Sequence, residues 1–526
     1  MLPALLHAQF DPAARNAFIN SDMQQAIDYW NIADPSVKFH SSFKPYLSST
    51  FSNAKDSAVP FVFYGFRNFS VSKNMNPLSP TETKINVQAM PIADLETGYD
   101  VLGNKAIISA IGGTHVKMNI GKNFTFAGSV FGGKNNFPFY VDTVLSVKRI
   151  IPEYGQGYGK YRSGYNFFDY TGYLSYSPGH TRVFNFQLGR DKHFIGDGYR
   201  SLLLSDYAPA YPFLRINTNV WRLQYNVWYT WMTDVTYSNG FKKDFKNKFG
   251  TFHYLSYNVT KGLSLGLFEN VVWKGADTNQ VRNFDPNYLN PVIFYRPIEY
   301  SIGSPDNSFL GLNINATIKK QFKLYGQLAV DEFLLSEIRK HRGWWGNKQG
   351  WQLGAKYINA FGVRGLKLQA EYNEVRPFTY SHGDPIQNYG HYGIPLAHPL
   401  GANFREFLGF INYRQNRQEF ALQCMGAVVG KDTAGTNSNV GQNIFLSYNT
   451  RNKQNLEYGN QTTQGVKTTV LQCHFKFTYY IRPKINLRLE AGYIQRSEKN
   501  SLGYILQDPY FYIALKTSFW NMYRDF

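Results

Sequence analysis

Apolar and polar residues alternate with period two along most of this chain. Trp221, Leu223, Tyr225, Val227, Tyr229 and Trp231 share one face, and Arg222, Gln224, Asn226 and Thr230 share the other. Leu255, Tyr257 and Val259 run through Thr260-Lys261-Gly262 into Leu263, Leu265 and Leu267, which predicts a hairpin. The same pattern returns at Leu366, Leu368, Ala370 and Tyr372, and at Leu471, Cys473, Phe475, Phe477 and Tyr479. Ile485, Leu487, Leu489, Ala491 and Tyr493 follow a predicted turn at Arg482-Pro483-Lys484. The last alternation, Phe511, Ile513, Leu515, Thr517 and Phe519, predicts a final strand that continues through Phe519. One segment breaks the rule. Ile19, Met23, Ala26, Ile27 and Trp30 recur at helical spacing, with Ser21-Asp22-Met23-Gln24 as a capping box and Asp34-Pro35 as the stop. No second helix of comparable quality is predicted after about residue 60.

Alternating strands fit a dry-cored sandwich or a barrel with one face in lipid. Strands of about 9–12 residues have the length that crosses a bilayer at a tilt of about 45°. Aromatic residues at the strand ends, such as Trp221, Trp231, Tyr372, Tyr479 and Tyr493, match interfacial girdles. Short turns alternate with long polar loops, among them Gly343 to Gly350 and Phe378 to Ala402. These features predict an all-β, transmembrane outer-membrane β-barrel. Roughly 460 residues at about 25–30 per strand with its share of loop give 16 to 18 antiparallel strands, and 18 is the expectation. Residues 1–9 read as the remnant of an export signal, 10–55 as a periplasmic helical segment, and 56–526 as the barrel with plug-forming loops.

Composition agrees with this reading. Aromatic residues make up 17% of the 526 residues, yet no apolar run is long enough for a membrane-spanning helix. The formal net charge of +19 calls for a polyanionic partner. Without a run of five or more basic residues, anionic lipid or acidic polysaccharide fits better than nucleic acid, and no nucleic acid is expected. Cys424 and Cys473 read as small hydrophobes on apolar strand faces, with no disulfide framework. His382, His391, His398 and Asp384 lack metal-ligand spacing, and no nucleophile elbow accompanies them. Neither catalysis nor a metal or cofactor is expected.

Three stretches carry a resemblance. Gly189 to Ser205 packs glycines among charges and ends Ser201-Leu202-Leu203-Leu204-Ser205, followed by Tyr211-Pro212-Phe213. Tyr389-Gly390-His391-Tyr392-Gly393-Ile394-Pro395-Leu396-Ala397-His398-Pro399-Leu400-Gly401 is the second, and Tyr325-Gly326-Gln327 leading to Asp331-Glu332 the third. In this order, over about residues 180 to 410, they resemble the Wzi family of outer-membrane capsule-assembly barrels. Departures are Phe194 and Ile195 where that family favours tryptophan, and an inserted Tyr392. The resemblance implies a plugged, non-enzymatic barrel that helps attach acidic capsular polysaccharide. Leu289-Asn290-Pro291-Val292-Ile293-Phe294-Tyr295-Arg296-Pro297 looks more like a branch from gliding bacteria, where surface or motility-machinery proteins would be the partners. A porin-type diffusion channel is the other alternative.

On this reading Asp191, His193, Arg200, Gln327, Asp331 and Glu332 belong to the lumen and plug. Arginine forks bind carboxylates bidentately, and aromatic faces stack on sugar rings. The polysaccharide-binding expectation therefore falls on Arg342 with Trp344 and Trp345, on Arg376 with Tyr380, and on the loop histidines His391 and His398. Arg376 has Glu374 as an alternative partner two residues away.

Overall fold

The computed structural model describes residues 15–47, 67–73, 83–148, 150–160, 163–179, 183–238, 241–275, 284–292, 306–433, 439–451 and 457–526. The expected export signal at 1–9 lies outside them. Eighteen antiparallel strands close into one barrel. They are β1 (Thr83–Asp100), β2 (Lys105–Ile120), β3 (Phe124–Asn135), β4 (Gly164–Tyr176), β5 (Phe184–Asp191) and β6 (Tyr211–Val220). Next come β7 (Leu223–Asp234), β8 (Lys246–Asn258), β9 (Leu263–Lys274), β10 (Asn307–Ile318), β11 (Phe322–Glu332) and β12 (Lys348–Ile358). The ring ends with β13 (Leu366–Val375), β14 (Phe404–Gln415), β15 (Gln418–Lys431), β16 (Val466–Arg482), β17 (Leu487–Asn500) and β18 (Ile505–Lys516). β18 closes on β1 from Tyr510↔Asp100 to Leu515↔Leu95, so no sheet edge is left open there.

The alternation sorts residues in the opposite sense to a soluble protein. Along β3, Phe124, Phe126 and Val130 are exposed, while Thr125 and Ser129 are buried. Large apolar side chains therefore face outward, where lipid lies, and the polar set fills the interior. The chain belongs in the outer membrane as an integral barrel. One end carries short turns, such as 221–222, 259–262 and 416–417, and the other the long loops 136–163, 192–210 and 376–403. By that asymmetry the turn end is periplasmic and the loop end faces outward.

The lumen is filled from both ends. Helix α1 (Ser21–Ala33) enters from the turn end, with Met23 and Ile27 packed on Phe519 and Met90. Asn20 caps it, its side chain accepting from the Met23 N–H at 3.2 Å, one residue before the expected capping box. Asp28 on α1 accepts from Lys356 at 2.7 Å and Lys367 at 3.0 Å, which pins the helix to the β12–β13 hairpin. From the loop end, residues 192–210 and 376–403 fold inward and bury Leu202, Leu203, Tyr380 and Tyr389 in the main apolar cluster.

Three expectations change. The final strand stops at Lys516. Beyond it the Thr517 and Ser518 N–H groups both donate to Asp94 Oδ1 at 3.0 Å, and the chain turns into the lumen. Phe519 is thus buried against Phe18, rings 4.6 Å apart, instead of facing lipid. Cys424 and Cys473 do lie on the outer face, but they sit directly opposite across β15 and β16 and form a disulfide. Two cysteines 49 residues apart become neighbours only through strand register. Finally, a second helix, α2 (Phe139–Lys148), roofs the lumen. Asp100 and Asp508 cap its first turn through the Phe139 and Tyr140 N–H groups, and no repeating apolar stripe marked it.

Candidate ligand-binding cleft on the loop face

Loop 333–347 and loop 432–465 meet above the barrel rim through backbone pairs. The Gly459 N–H donates to Arg342 O at 2.8 Å and the Asn460 N–H to Gly343 O at 2.9 Å. Gly343 has φ +67 and Gly459 φ +81, conformations that glycine adopts without strain. Between these loops and the ends of β13 and β14 lies a cleft of about 590 Å³. Arg342, Arg376, Arg405 and Lys467 line it with Glu337 and Glu374, four cations against two carboxylates.

Each arginine is held differently. Arg342 donates to Glu337 at 3.0 Å, with its guanidinium 4.1 Å over the Tyr458 ring. Arg405 pairs with Glu374 at 3.2 Å and keeps 53% of its side chain exposed. Glu374 is therefore the partner of Arg405 and not of Arg376. Arg376 instead donates to the Asn347 carbonyl at 2.8 Å and the Trp344 carbonyl at 3.3 Å, bracing the loop. Burial lowers its pKa, and the Glu374 charge opposes that.

Trp344 and Trp345 sit behind the cleft. Both indole N–H groups donate to Glu457 Oε2, at 3.3 and 3.1 Å. Arg451 covers the Trp345 ring at 3.9 Å, so that face is already taken. Tyr380, His391 and His398 lie deeper and are buried, without a solvent face in this conformation. The Tyr380 hydroxyl donates to Leu202 O at 2.8 Å. His391 Nδ1 accepts from the Thr233 N–H at 3.0 Å, and burial pushes its pKa down to about 3. His398 Nδ1 accepts from the Leu400 N–H at 3.2 Å, so Nε2 carries the proton and donates to Glu406 at 2.7 Å.

The predicted plug residues fall into separate groups. Gln327 accepts from the Leu202 N–H at 2.8 Å and donates to Ile195 O at 2.9 Å. Arg200 joins Glu406 at 3.2 Å to Asp525 at 3.1 Å, tying an outer loop to the C-terminal residues. His193 packs 5.4 Å from Trp228, and Asp191 accepts from the Lys192 N–H at 2.9 Å. Asp331 and Glu332 should point to opposite faces, but a bulge between Val330 and Glu332 lets both reach Lys348, at 3.5 and 3.3 Å. Ser205 N–H donates to Leu396 O at 2.8 Å, so the 189–205 stretch touches the 389–401 stretch as well as Gln327 of the third.

Several functional groups were not picked out beforehand. Asp197 meets Lys323 at 2.6 Å with both side chains 0% exposed. Burial raises the Asp197 carboxyl, and Lys323 with Lys44 more than reverses that, holding it well below the usual range. Glu371 clamps the loop by accepting from the Tyr199 and Arg200 N–H groups at 2.7 and 3.0 Å. Glu371 and Glu406 occupy polar-face positions of their strands, which is the signal that marks them. Asp28, Asp525, Arg405 and Lys467 carry no local mark. Among the described residues, no group of three or more His, Cys, Asp or Glu side chains is placed to hold a metal ion. Of Leu289–Pro297, residues 293–297 lie outside the described part. Residues 289–292 lie on the barrel's outer face, with the Tyr229 hydroxyl donating to Leu289 O at 2.8 Å.

No protein-family model matches the chain, and no curated protein matches it either. Among solved structures the barrel is similar to Wzi of Escherichia coli, described as an outer-membrane protein involved in group 1 capsule assembly and a carbohydrate-binding β-barrel. The match has 12% identity and a TM-score of 0.58, over 96% of this chain and 99% of that one. OprD of Pseudomonas aeruginosa also matches, at 9% identity and TM-score 0.44, over 83% of this chain and 96% of that one. OccAB2 of Acinetobacter baumannii matches at 10% identity and TM-score 0.43, over 82% and 97%. At these identities the likeness is one of fold.

Proposed function

We propose that this barrel binds a carboxylated surface polysaccharide in its loop-face cleft, without catalysing a reaction, as a capsule-assembly protein of the Wzi type. The observation that carries the reading is the excess of cations in a cleft open to the outside: Arg342, Arg376, Arg405 and Lys467 against Glu337 and Glu374. Arg405 and Arg342 are the binding groups. Their side chains are 53% and 48% exposed, so a uronic-acid carboxylate can reach either guanidinium and compete with Glu374 or Glu337 for it. Arg376 positions the loop through the Asn347 and Trp344 carbonyls. The exposed face of Tyr458 supplies an apolar wall for a sugar ring. Support also comes from the contacts that the 189–205 stretch makes with both other Wzi-like stretches, and from a fold neighbour described as carbohydrate-binding.

A diffusion channel needs a continuous wet path. The helix α1, loops 192–210 and 376–403 and the C-terminal residues occupy the lumen, which disfavours that alternative. The test compares retention on immobilised polygalacturonate and on neutral dextran over rising salt. Arg342→Gln with Arg405→Gln should weaken polygalacturonate retention about tenfold or more, from the loss of charge-assisted hydrogen bonds. Dextran retention should not change. Equal polygalacturonate retention by the double variant and the parent protein overturns the reading.

A further inference from the structure

The turn end of the barrel has a charge pattern that the glycan reading does not use. Seven turns are described in full: 121–123, 221–222, 259–262, 319–321, 359–365, 416–417 and 483–486. Every one contains Lys or Arg, and none contains Asp or Glu. Lys122, Lys261, Lys319, Lys320, Arg364 and Arg417 are all exposed. The loop end differs, since its loops mix Glu337, Asp384 and Glu457 with their cations. One-signed charge over the described turns makes a ring, because consecutive hairpins are neighbours around a closed barrel.

The same turns expose large apolar rings. Trp221 is 69% exposed and Phe361 79% exposed. Trp221 occupies a two-residue turn beside Arg222, whose guanidinium lies 5.2 Å over the indole. Aromatic girdles at a barrel end mark the level of lipid headgroups, with the amphipathic indole of Trp221 the anchor there. Turns this short rise only about 3.3 Å per residue above the last lipid-facing side chain, so their cations stay at that level. A soluble acidic partner would need groups that stand clear of the membrane surface, and these do not.

We propose that the turn-end ring binds the headgroups of anionic glycerophospholipids in the periplasmic leaflet. The lipid phosphate and its neighbours accept from Lys319, Lys320 and the adjacent turns, while Trp221 and Phe361 set the depth. This inference is independent of the glycan reading.

The experiment uses the full chain in vesicles of POPE and POPG at 4:1, extracted into mild detergent, with retained lipid counted by native mass spectrometry. The turn variant carries Lys122→Gln, Lys261→Gln, Lys319→Asn, Lys320→Asn and Arg364→Gln. Asn suits 319 and 320, where φ is +51 and +54. The control variant carries Lys242→Gln, Lys243→Gln and Lys246→Gln at the loop end. Heat-modifiable gel mobility establishes that both are folded. The parent protein should retain POPG above its bulk share, and the turn variant should lose that enrichment by about fivefold or more. The control variant should keep it. Undiminished POPG enrichment in the turn variant overturns the proposal, as does loss of enrichment in the control alone. Co-sedimentation with purified peptidoglycan sacculi that needs the same turn cations, with POPG enrichment unchanged, also overturns it in favour of a cell-wall partner.

Discussion

Two ion pairs, one in the lumen and one at the rim, show how depth decides what a charge does. Lys323 and Asp197 meet at 2.6 Å with 0% exposure on both sides. Arg405 and Glu374 meet at 3.2 Å with 53% and 16% exposure. The chemistry is the same. In the lumen neither partner can turn to water, so each group depends on the other and on the Ser41, Ser42 and Asn315 side chains around them. At the rim Arg405 stays half exposed and screened, and a ligand carboxylate can compete with Glu374 for it. The lumen pairs hold the plug, and the rim pairs are exchangeable.

The largest effect that separates the two classes comes from removing one buried partner. Lys323→Met leaves Asp197 without its contact ion, with only the Ser42 and Asn315 donors and the Lys44 charge, and should destabilise the folded barrel by about 3–5 kcal/mol. The measurement is the midpoint of heat modification in detergent. Adding Asp197→Leu should recover most of the loss, because an apolar pair of similar volume avoids desolvation. If Lys323→Met alone melts like the parent protein, the lumen pairs are not structural.

A pH series sharpens the comparison. Burial pushes the Glu153 carboxyl up to about 8, against the opposing charge of Lys192. An unfolded glutamate titrates near 4.3. Between these values the folded chain holds a proton that the unfolded chain has lost, so stability falls as pH rises and levels off above about 8. Glu153→Gln should flatten that slope. Asp28 behaves oppositely: burial lifts its carboxyl, but Lys356 and Lys367 overcome this and hold it well below the usual range. Its contribution is present above about pH 4 and is lost only as pH falls further. Docking of α1 should therefore survive from neutral pH to about pH 4. A melting profile whose slope Glu153→Gln does not alter would remove this assignment.

The disulfide comes next. Cys424 and Cys473 close a loop with a sequence separation of 49 on the outer face. Cys424→Ser should lower stability by about 2–4 kcal/mol through the unfolded chain, with barrel, plug and cleft unchanged. The readout is the heat-modification midpoint with and without reductant. Reductant should shift the parent protein toward the variant and leave the variant where it is.

How much of this was legible follows from the same depth argument. Period-two alternation shows the two faces of each strand, so the barrel, the outward apolar set and the inward Lys323, Gln327 and Lys356 can be read locally. Long loops at one end place Arg342 and Arg376 on the same side, and the structure brings them to one cleft. Arg405 was not legible because its exposed position on β14 matters only once loop 432–465 lies beside it. Tyr380, His391 and His398 look like surface ligands in a long loop, yet that loop folds inward and the apolar cluster encloses Tyr380. Asp28, Asp197 and Asp525 find their lysines and arginines over separations that no local pattern encodes. The cysteine pair is hidden for the same reason, since only the β15–β16 register makes Cys424 face Cys473.

The smallest expected effect tests the rim class from the other side. Lys340 donates to Glu337 at 2.6 Å, shorter than several buried contacts, yet its side chain is 52% exposed. Distance alone would rank it with Lys323–Asp197. Solvent screening and the entropy of a free lysine arm predict otherwise. Lys340→Gln should leave the heat-modification midpoint unchanged, because Arg342 still donates to Glu337 at 3.0 Å. With one donor fewer, Glu337 should hold Arg342 more tightly, and polygalacturonate retention should fall slightly, by well under the tenfold expected when Arg342 and Arg405 are both replaced. A Lys340→Gln midpoint shift as large as that of Lys323→Met would show that short distance, and not burial, ranks these pairs.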